Sequence, residues 1–269
     1  MTSLAYTVAD SATMLRRNLK HQLRYPSLTL MLAGFPIVFL LLFVYVFGGQ
    51  LGAGLGAGLG AHDGRSAYLD YLLPGLLLLT VASALQGTSI MVAMDMTGGI
   101  IDRFRTMAIA RAAVLTGHVL GSLIQTLLAS AVLIAVALGL GFRSAAGPLA
   151  WLAAAGILAL FAVALTWLAV ALGLAATSVE TASNTPMVLF LLLFLSSGFV
   201  ATATMPAGLR QFAQYQPVTP VADTVRGLLS GAPTGGHAIA AVAWSTGIAA
   251  VAYLWAIRLY NRRRAAEPK

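Results

Sequence analysis

The side chains able to do acid–base or metal chemistry are few in this sequence, and they are scattered. Eight carboxylates (Asp10, Asp63, Asp70, Asp95, Asp102, Glu180, Asp223 and Glu267) and four histidines (His21, His62, His118, His237) are spread along 269 residues, and cysteine is absent. General acid–base catalysis needs paired groups around one reacting atom, and zinc sites draw on clustered His and Cys at short spacings. No His-Glu-x-x-His run and no Gly-x-Ser-x-Gly elbow occurs. Nor does Gly-x-x-x-x-Gly-Lys-Ser/Thr, the loop that cradles nucleotide phosphates. A chain without metal, cofactor or catalytic residues of its own is expected.

A second kind of chemistry is proton or sodium binding within a membrane. Carriers driven that way need ionisable side chains near the bilayer midplane. Here the carboxylates are expected in loops, tails or the first turns of spans. Polar residues singled out in or beside the apolar stretches are Gln86, Gln125, Thr166, Trp167 and, just before the fifth, Asn184. They can tie helices together or line a path. An apolar interior suits a lipophilic cargo, so work done on it draws energy from elsewhere, which argues against a secondary carrier.

The elements that position these residues follow from hydropathy. Hydrophobic residues make up 59% of the chain and charged residues 9%, against about 25% charged in a soluble domain. Crossing ~30 Å of hydrocarbon takes roughly 20 residues of helix. Six uncharged stretches are that long: 28–47, 71–93, 114–140, 149–175, 186–204 and 236–257. They are apolar all round, whereas a helix of a soluble bundle keeps a polar stripe. The predicted fold is therefore an all-α membrane protein of six transmembrane helices, a single domain over residues 1–269. Pro36 and Pro74 fall inside the first two spans, and the alanine-rich fourth reads as closely packed.

The net charge of +8 does not point to nucleic acid, because the basic residues sit in short clusters between apolar runs. Twelve of the sixteen Lys and Arg (16, 17, 20, 24, 103, 105, 111, 258, 262–264, 269) fall on one side of the predicted spans. The other side has Arg65, Arg143, Arg210 and Arg226. By the positive-inside rule both termini are cytoplasmic, as an even number of spans requires. The polar first 25 residues do not resemble a signal peptide.

Three segments outside the spans stand out. In residues 10–25, Leu15, Leu19 and Leu23 recur every fourth position with Arg16, Arg17, Lys20 and Arg24 beside them, which predicts an interfacial helix within 1–25. Residues 94–113 carry too many charges for the bilayer, yet Ile100, Ile101, Phe104, Met107 and Ile109 are too apolar for a solvated loop. A short helix lying on another protein or on the membrane surface fits both facts. Residues 205–235 read as a helical hairpin before span six. Pro206 and Pro220 are expected at first helical positions, Gly231 at a C-cap, and Asp223 and Arg226 on the face opposite Val221, Val225, Leu228 and Leu229. The glycine-rich run 48–60 reads as a flexible hairpin.

Several of these residues resemble the permease subunits of type-2 ABC exporters, in the daunorubicin-resistance branch. Gly99-Ile100-Ile101-Asp102-Arg103-Phe104-Arg105 is similar to that family's loop after span two. Ser196-Ser197-Gly198-Phe199-Val200 resembles the end of its fifth span. Gln216-Pro217-Val218-Thr219-Pro220 with Arg226-Gly227-Leu228 resembles its outer hairpin. The resemblance implies a cytoplasmic coupling helix, with Asp102, Arg103, Phe104 and Arg105 seated on a separate P-loop ATPase subunit that binds ATP and Mg, and a second contact at Glu180. It also implies a second permease, identical or homologous, with cargo passing along spans two and five beside Gln86, Phe194 and Phe199. The chain departs from the pattern at Ala108, where proline is common, and in Ala201-Thr202-Ala203-Thr204, which lacks an acid before Met205-Pro206. Export of a hydrophobic drug or lipid from the inner or plasma membrane is the function implied. Polysaccharide or glycolipid export calls for more aromatic residues than spans two and five contain.

Overall fold

A computed structural model describes residues 26–47, 64–98 and 111–262. Among these residues every regular element is helical. Helix α1 (Pro26–Leu42) continues as a π turn through Phe47, and α2 (Gly64–Thr97), α3 (Arg111–Gly139) and α4 (Pro148–Ala175) follow. Two short helices, α5 (Val179–Asn184) and α6 (Met187–Phe194), precede a hairpin of α7 (Ala207–Tyr215) and α8 (Val218–Ser230), and α9 (His237–Arg262) closes the chain. Within α2, α3, α4 and α9, four segments are long and apolar enough to cross a membrane: Ala67–Thr97, Leu115–Gly139, Pro148–Ala175 and His237–Asn261. The expected interfacial helix, the glycine-rich run and the 99–110 segment lie outside the described residues.

Helices α2 and α4 form the centre. From Leu72 to Ala82 every residue of α2 is buried. Its Leu72, Leu76, Leu79 and Leu85 join Phe161 and Leu165 of α4 in the main core. The small residues of α4 act as the sequence suggested. A Cβ on Gly173 would lie 2.7 Å from the Ser89 carbonyl oxygen and 2.8 Å from Val92 Cβ, so glycine lets the two backbones meet there. Around this centre α9 exposes apolar side chains such as Ile239, Val251 and Leu254, as a helix solvated by lipid does. Pro36 and Pro74 lie within α1 and α2 as expected.

The predicted continuous span at 186–204 is not one helix. Its helical part begins earlier, at Val179, pauses at Thr185–Pro186, and ends at Phe194; turns follow through Val200 and a 3₁₀ turn covers Thr202–Thr204. Proline cannot donate to the preceding turn, which accounts for the break at Pro186. At the other end the Ser196 hydroxyl donates to the Leu193 carbonyl (2.5 Å) and accepts from Gly198 N (3.1 Å). A local hydroxyl thus replaces the next turn of helix.

The hairpin is present at 207–230, but it sits differently from expectation. Pro206 precedes the first helical residue, and Pro220 is third in α8, with Pro217 at its N-cap. Gly231 does terminate α8, in the left-handed conformation (φ 73°) that favours glycine. Asp223 and Arg226 do not form an outward polar face. Helix α8 packs on α2, α4 and α9 with both stripes covered, and that pair turns inward.

Candidate functional site

A helix that stops inside a bundle leaves its last carbonyls without partners. In a bilayer such groups must be satisfied by protein, since hydrocarbon offers no hydrogen bonds. The end of α6 meets this demand with side chains from the hairpin. Gln216, at the elbow between α7 and α8, donates through Nε2 to the carbonyls of Leu192 (2.8 Å) and Leu195 (3.0 Å). Both partners are acceptors, which fixes the orientation of the amide. Ser197 N donates to Thr219 Oγ1 (3.2 Å), and the Ser197 carbonyl accepts from Tyr71 Oη (3.0 Å) and from Arg226 Nη2 (2.6 Å).

Arg226 is the hub. Its Nη1 lies 2.6 Å from Asp223 Oδ1, Nη2 also approaches the Tyr71 carbonyl at 3.3 Å, and Cζ stands 4.2 Å from the Tyr71 ring centre. Asp223 accepts a further bond from Ser197 Oγ (2.7 Å), and His237 Nδ1 stands 3.8 Å from its other oxygen. A planar guanidinium suits this role, because it serves a carboxylate, carbonyls and a ring face at once. The pair is 21% and 23% exposed. It is therefore only partly desolvated, and its charges compensate each other.

Beneath this network the backbones of Gly75 and Gly198 touch. A Cβ at Gly75 would fall 2.7 Å from the Gly198 carbonyl carbon and closer still to its oxygen. An aromatic group flanks the contact: Phe199 lies 5.0 Å from Phe194 and 6.0 Å from Phe43, centre to centre. Phe43 belongs to a ladder with Phe35, Phe39 and Phe47 along α1.

The expected path residues therefore separate. Phe194 and Phe199 stand together, whereas Gln86 lies eleven residues from Gly75 on α2, about 16 Å along the axis. There Gln86 Nε2 donates to the carbonyl of Ser183 (3.1 Å). Glu180 is exposed in the first turn of α5, behind a Ser178 cap that accepts from Thr181 N. Asp102, Arg103, Phe104 and Arg105 lie outside the described residues. Span two is largely enclosed by its own chain, so its open positions are few, among them Gly87 and Met94.

Reading residue types alone missed the roles of Tyr71, Ser197, Gln216 and Thr219. Their available signal was the Ser196-Ser197-Gly198 interruption of an apolar run. Also missed were two buried ties between α2 and α3: His118 Nε2 to Asp95 Oδ2 (3.2 Å) and Thr88 Oγ1 to Ser122 Oγ (2.7 Å). Asp95, expected in the loop after span two, thus lies in the last turn of α2 with 18% exposure, and His118, expected near a membrane boundary, is buried in the second turn of α3. Among the described residues no group of three or more His, Cys, Asp or Glu is placed to hold a metal. The arrangement holds backbone segments in place; it is a mechanical joint.

A family model described as "ABC-2 type transporter" matches residues 11–229. The "Daunorubicin resistance ABC transporter permease protein" of Streptomyces coeruleorubidus is 32% identical over 204 residues, covering 76% of this chain and 72% of the relative. The "Probable doxorubicin resistance ABC transporter permease protein" of Mycobacterium tuberculosis is 29% identical over 181 residues, covering 65% and 64%.

Proposed function

Because the chain belongs to the ABC-2 type transporter family, we propose that it is the membrane subunit of an ATP-driven exporter whose cargo is a hydrophobic, drug-like molecule. The observation that carries this reading is the family match over residues 11–229 of an apolar chain whose described residues form helices alone as regular elements. The names of the two relatives support a drug as cargo.

Six crossings follow if α1 with its π turn and the α5–α6 pair each traverse the bilayer beside the four long helices. The basic residues then place both termini in the cytoplasm and the α7–α8 hairpin on the outer side of the inner or plasma membrane. ATP and Mg belong to a separate ATPase chain. Asp102, Arg103, Phe104, Arg105 and the exposed Glu180 are its proposed contacts. Two permease subunits, identical or homologous, enclose the path. On this reading the Phe194–Phe199–Phe43 group is the part of the path near the outer leaflet.

Outward export from cells co-expressing this chain with an ATPase encoded beside it tests the proposal. Accumulation of a fluorescent lipophilic drug should fall only when both chains are present and the ATPase is active. Unchanged accumulation, or ATP hydrolysis by the purified single chain, would overturn it.

A further inference from the structure

Helix α2 ends at Thr97 and α3 begins at Arg111. The segment between them is the one proposed above to meet the ATPase. Two residues before its first end stands Asp95, and seven after its second stands His118. Their side chains meet at 3.2 Å, with 18% and 6% exposure. A carboxylate only accepts, so His118 Nε2 carries the proton of this contact whether the ring is charged or neutral.

The pair does not act alone. Seven residues back along α2, about 10 Å, Thr88 donates to Ser122 of α3, and both side chains are buried. On its other side the same stretch of α2 meets α4 where Gly173 admits the Ser89 carbonyl. Val92, Leu115, Val170 and Tyr260 then form a separate apolar cluster joining α2, α3, α4 and α9 at this end. Both roots of the 98–110 segment are therefore fastened to one block. A push on a loop moves the helices behind it only if its two roots move together. If the roots can part, the displacement is absorbed locally. Two leucines could fill this space, because a buried polar pair seldom adds stability over an apolar one. What it adds is one fixed separation.

We propose that the Asp95–His118 pair is a positioning clamp. It holds the roots of the 98–110 segment at constant spacing, so that movement of the ATPase reaches α2, α3 and α4 as one displacement. The inference rests on the exporter reading and on that segment meeting the ATPase.

The test uses the permease–ATPase complex in vesicles, with three readouts: co-purification of the ATPase, its hydrolysis rate, and drug moved per ATP. Asp95→Leu and His118→Phe should leave assembly intact and hydrolysis within about twofold, while drug moved per ATP falls roughly tenfold. The exchange Asp95→His with His118→Asp should restore most of it. Should the single variants fail to fold, Asp95→Cys with His118→Cys decides. This chain has no cysteine of its own, so in a complex with a cysteine-free ATPase a short bifunctional reagent bridges the two thiols at this position alone. The bridged complex should move about tenfold more drug per ATP than the unbridged one. Equal ratios in the two forms, or full coupling in both single variants, would overturn the clamp. Arg103→Glu separates the two ideas. If it leaves ATPase binding intact, the loop assignment falls and the clamp with it; if binding is lost, the assignment stands and the ratio in the Asp95 and His118 variants decides the clamp by itself.

Discussion

Arg226 holds four groups that no other residue type could serve together: the Asp223 carboxylate, the carbonyls of Ser197 and Tyr71, and the Tyr71 ring. Arg226→Ala should therefore cost roughly 2–4 kcal/mol, since it strands Asp223 and frees the Ser197 carbonyl from its charged donor. Arg226→Lys should recover less than half of that, a point charge being no substitute for the fork. Thermal unfolding of the detergent-purified protein measures both. Gly75→Ala probes the same joint from beneath and should lose about 1–3 kcal/mol, because the clash is with backbone. A variant at the unobstructed Gly87, Gly87→Ala, should show no such loss. Residue types did not reveal this joint. An amphipathic reading of α8 assumes one buried face, and it set Asp223 and Arg226 on the other. Besides Asp223, Arg226 binds the backbone carbonyls of Ser197 and Tyr71, and carbonyls carry no signature in the side-chain sequence.

The element that departs most from expectation is span five. A run without charges from 186 to 204 reads as one helix because hydropathy measures length, not continuity. Its true end depends on a hydroxyl at Ser196 and on carbonyl partners 20 to 30 residues later in the chain. Gln216→Leu keeps the volume and removes the donor shared by Leu192 and Leu195. A cost of about 1–3 kcal/mol is expected, together with faster amide exchange at the hairpin elbow. Undiminished protection at Gln216–Thr219 would show that the amide does not hold the elbow. Elements with local causes were legible: α3, α4 and α9 lie within a few residues of their predicted limits, and Gly231 marks the end of α8.

At the scale of the whole molecule, α1, α3 and α9 turn large apolar side chains such as Val38, Leu128 and Val251 outward, while many hydroxyls of the bundle bond the preceding turn of their own helix. The family was readable because Ser196–Val200, Gln216–Pro220 and Arg226–Leu228 stand in order along the chain; the structure shows that all three converge on one joint. The proposed topology predicts that an impermeant thiol reagent added to intact cells labels Ser230→Cys and not Asn261→Cys. The reverse pattern would invert the protein in the membrane. The broken fifth span also has a consequence for how the chain is made. Ser197 leaves the ribosome well before Arg226, and at about 5–20 residues per second the interval is roughly 1–6 s. During that time the Leu192 and Leu195 carbonyls lack the Gln216 amide and the Ser197 carbonyl lacks Arg226, with Tyr71 its one donor already made. Quality-control proteases meet the nascent chain in this state. Hairpin variants should therefore shorten the lifetime of new chains, seen in pulse–chase labelling, more than they unfold chains already matured.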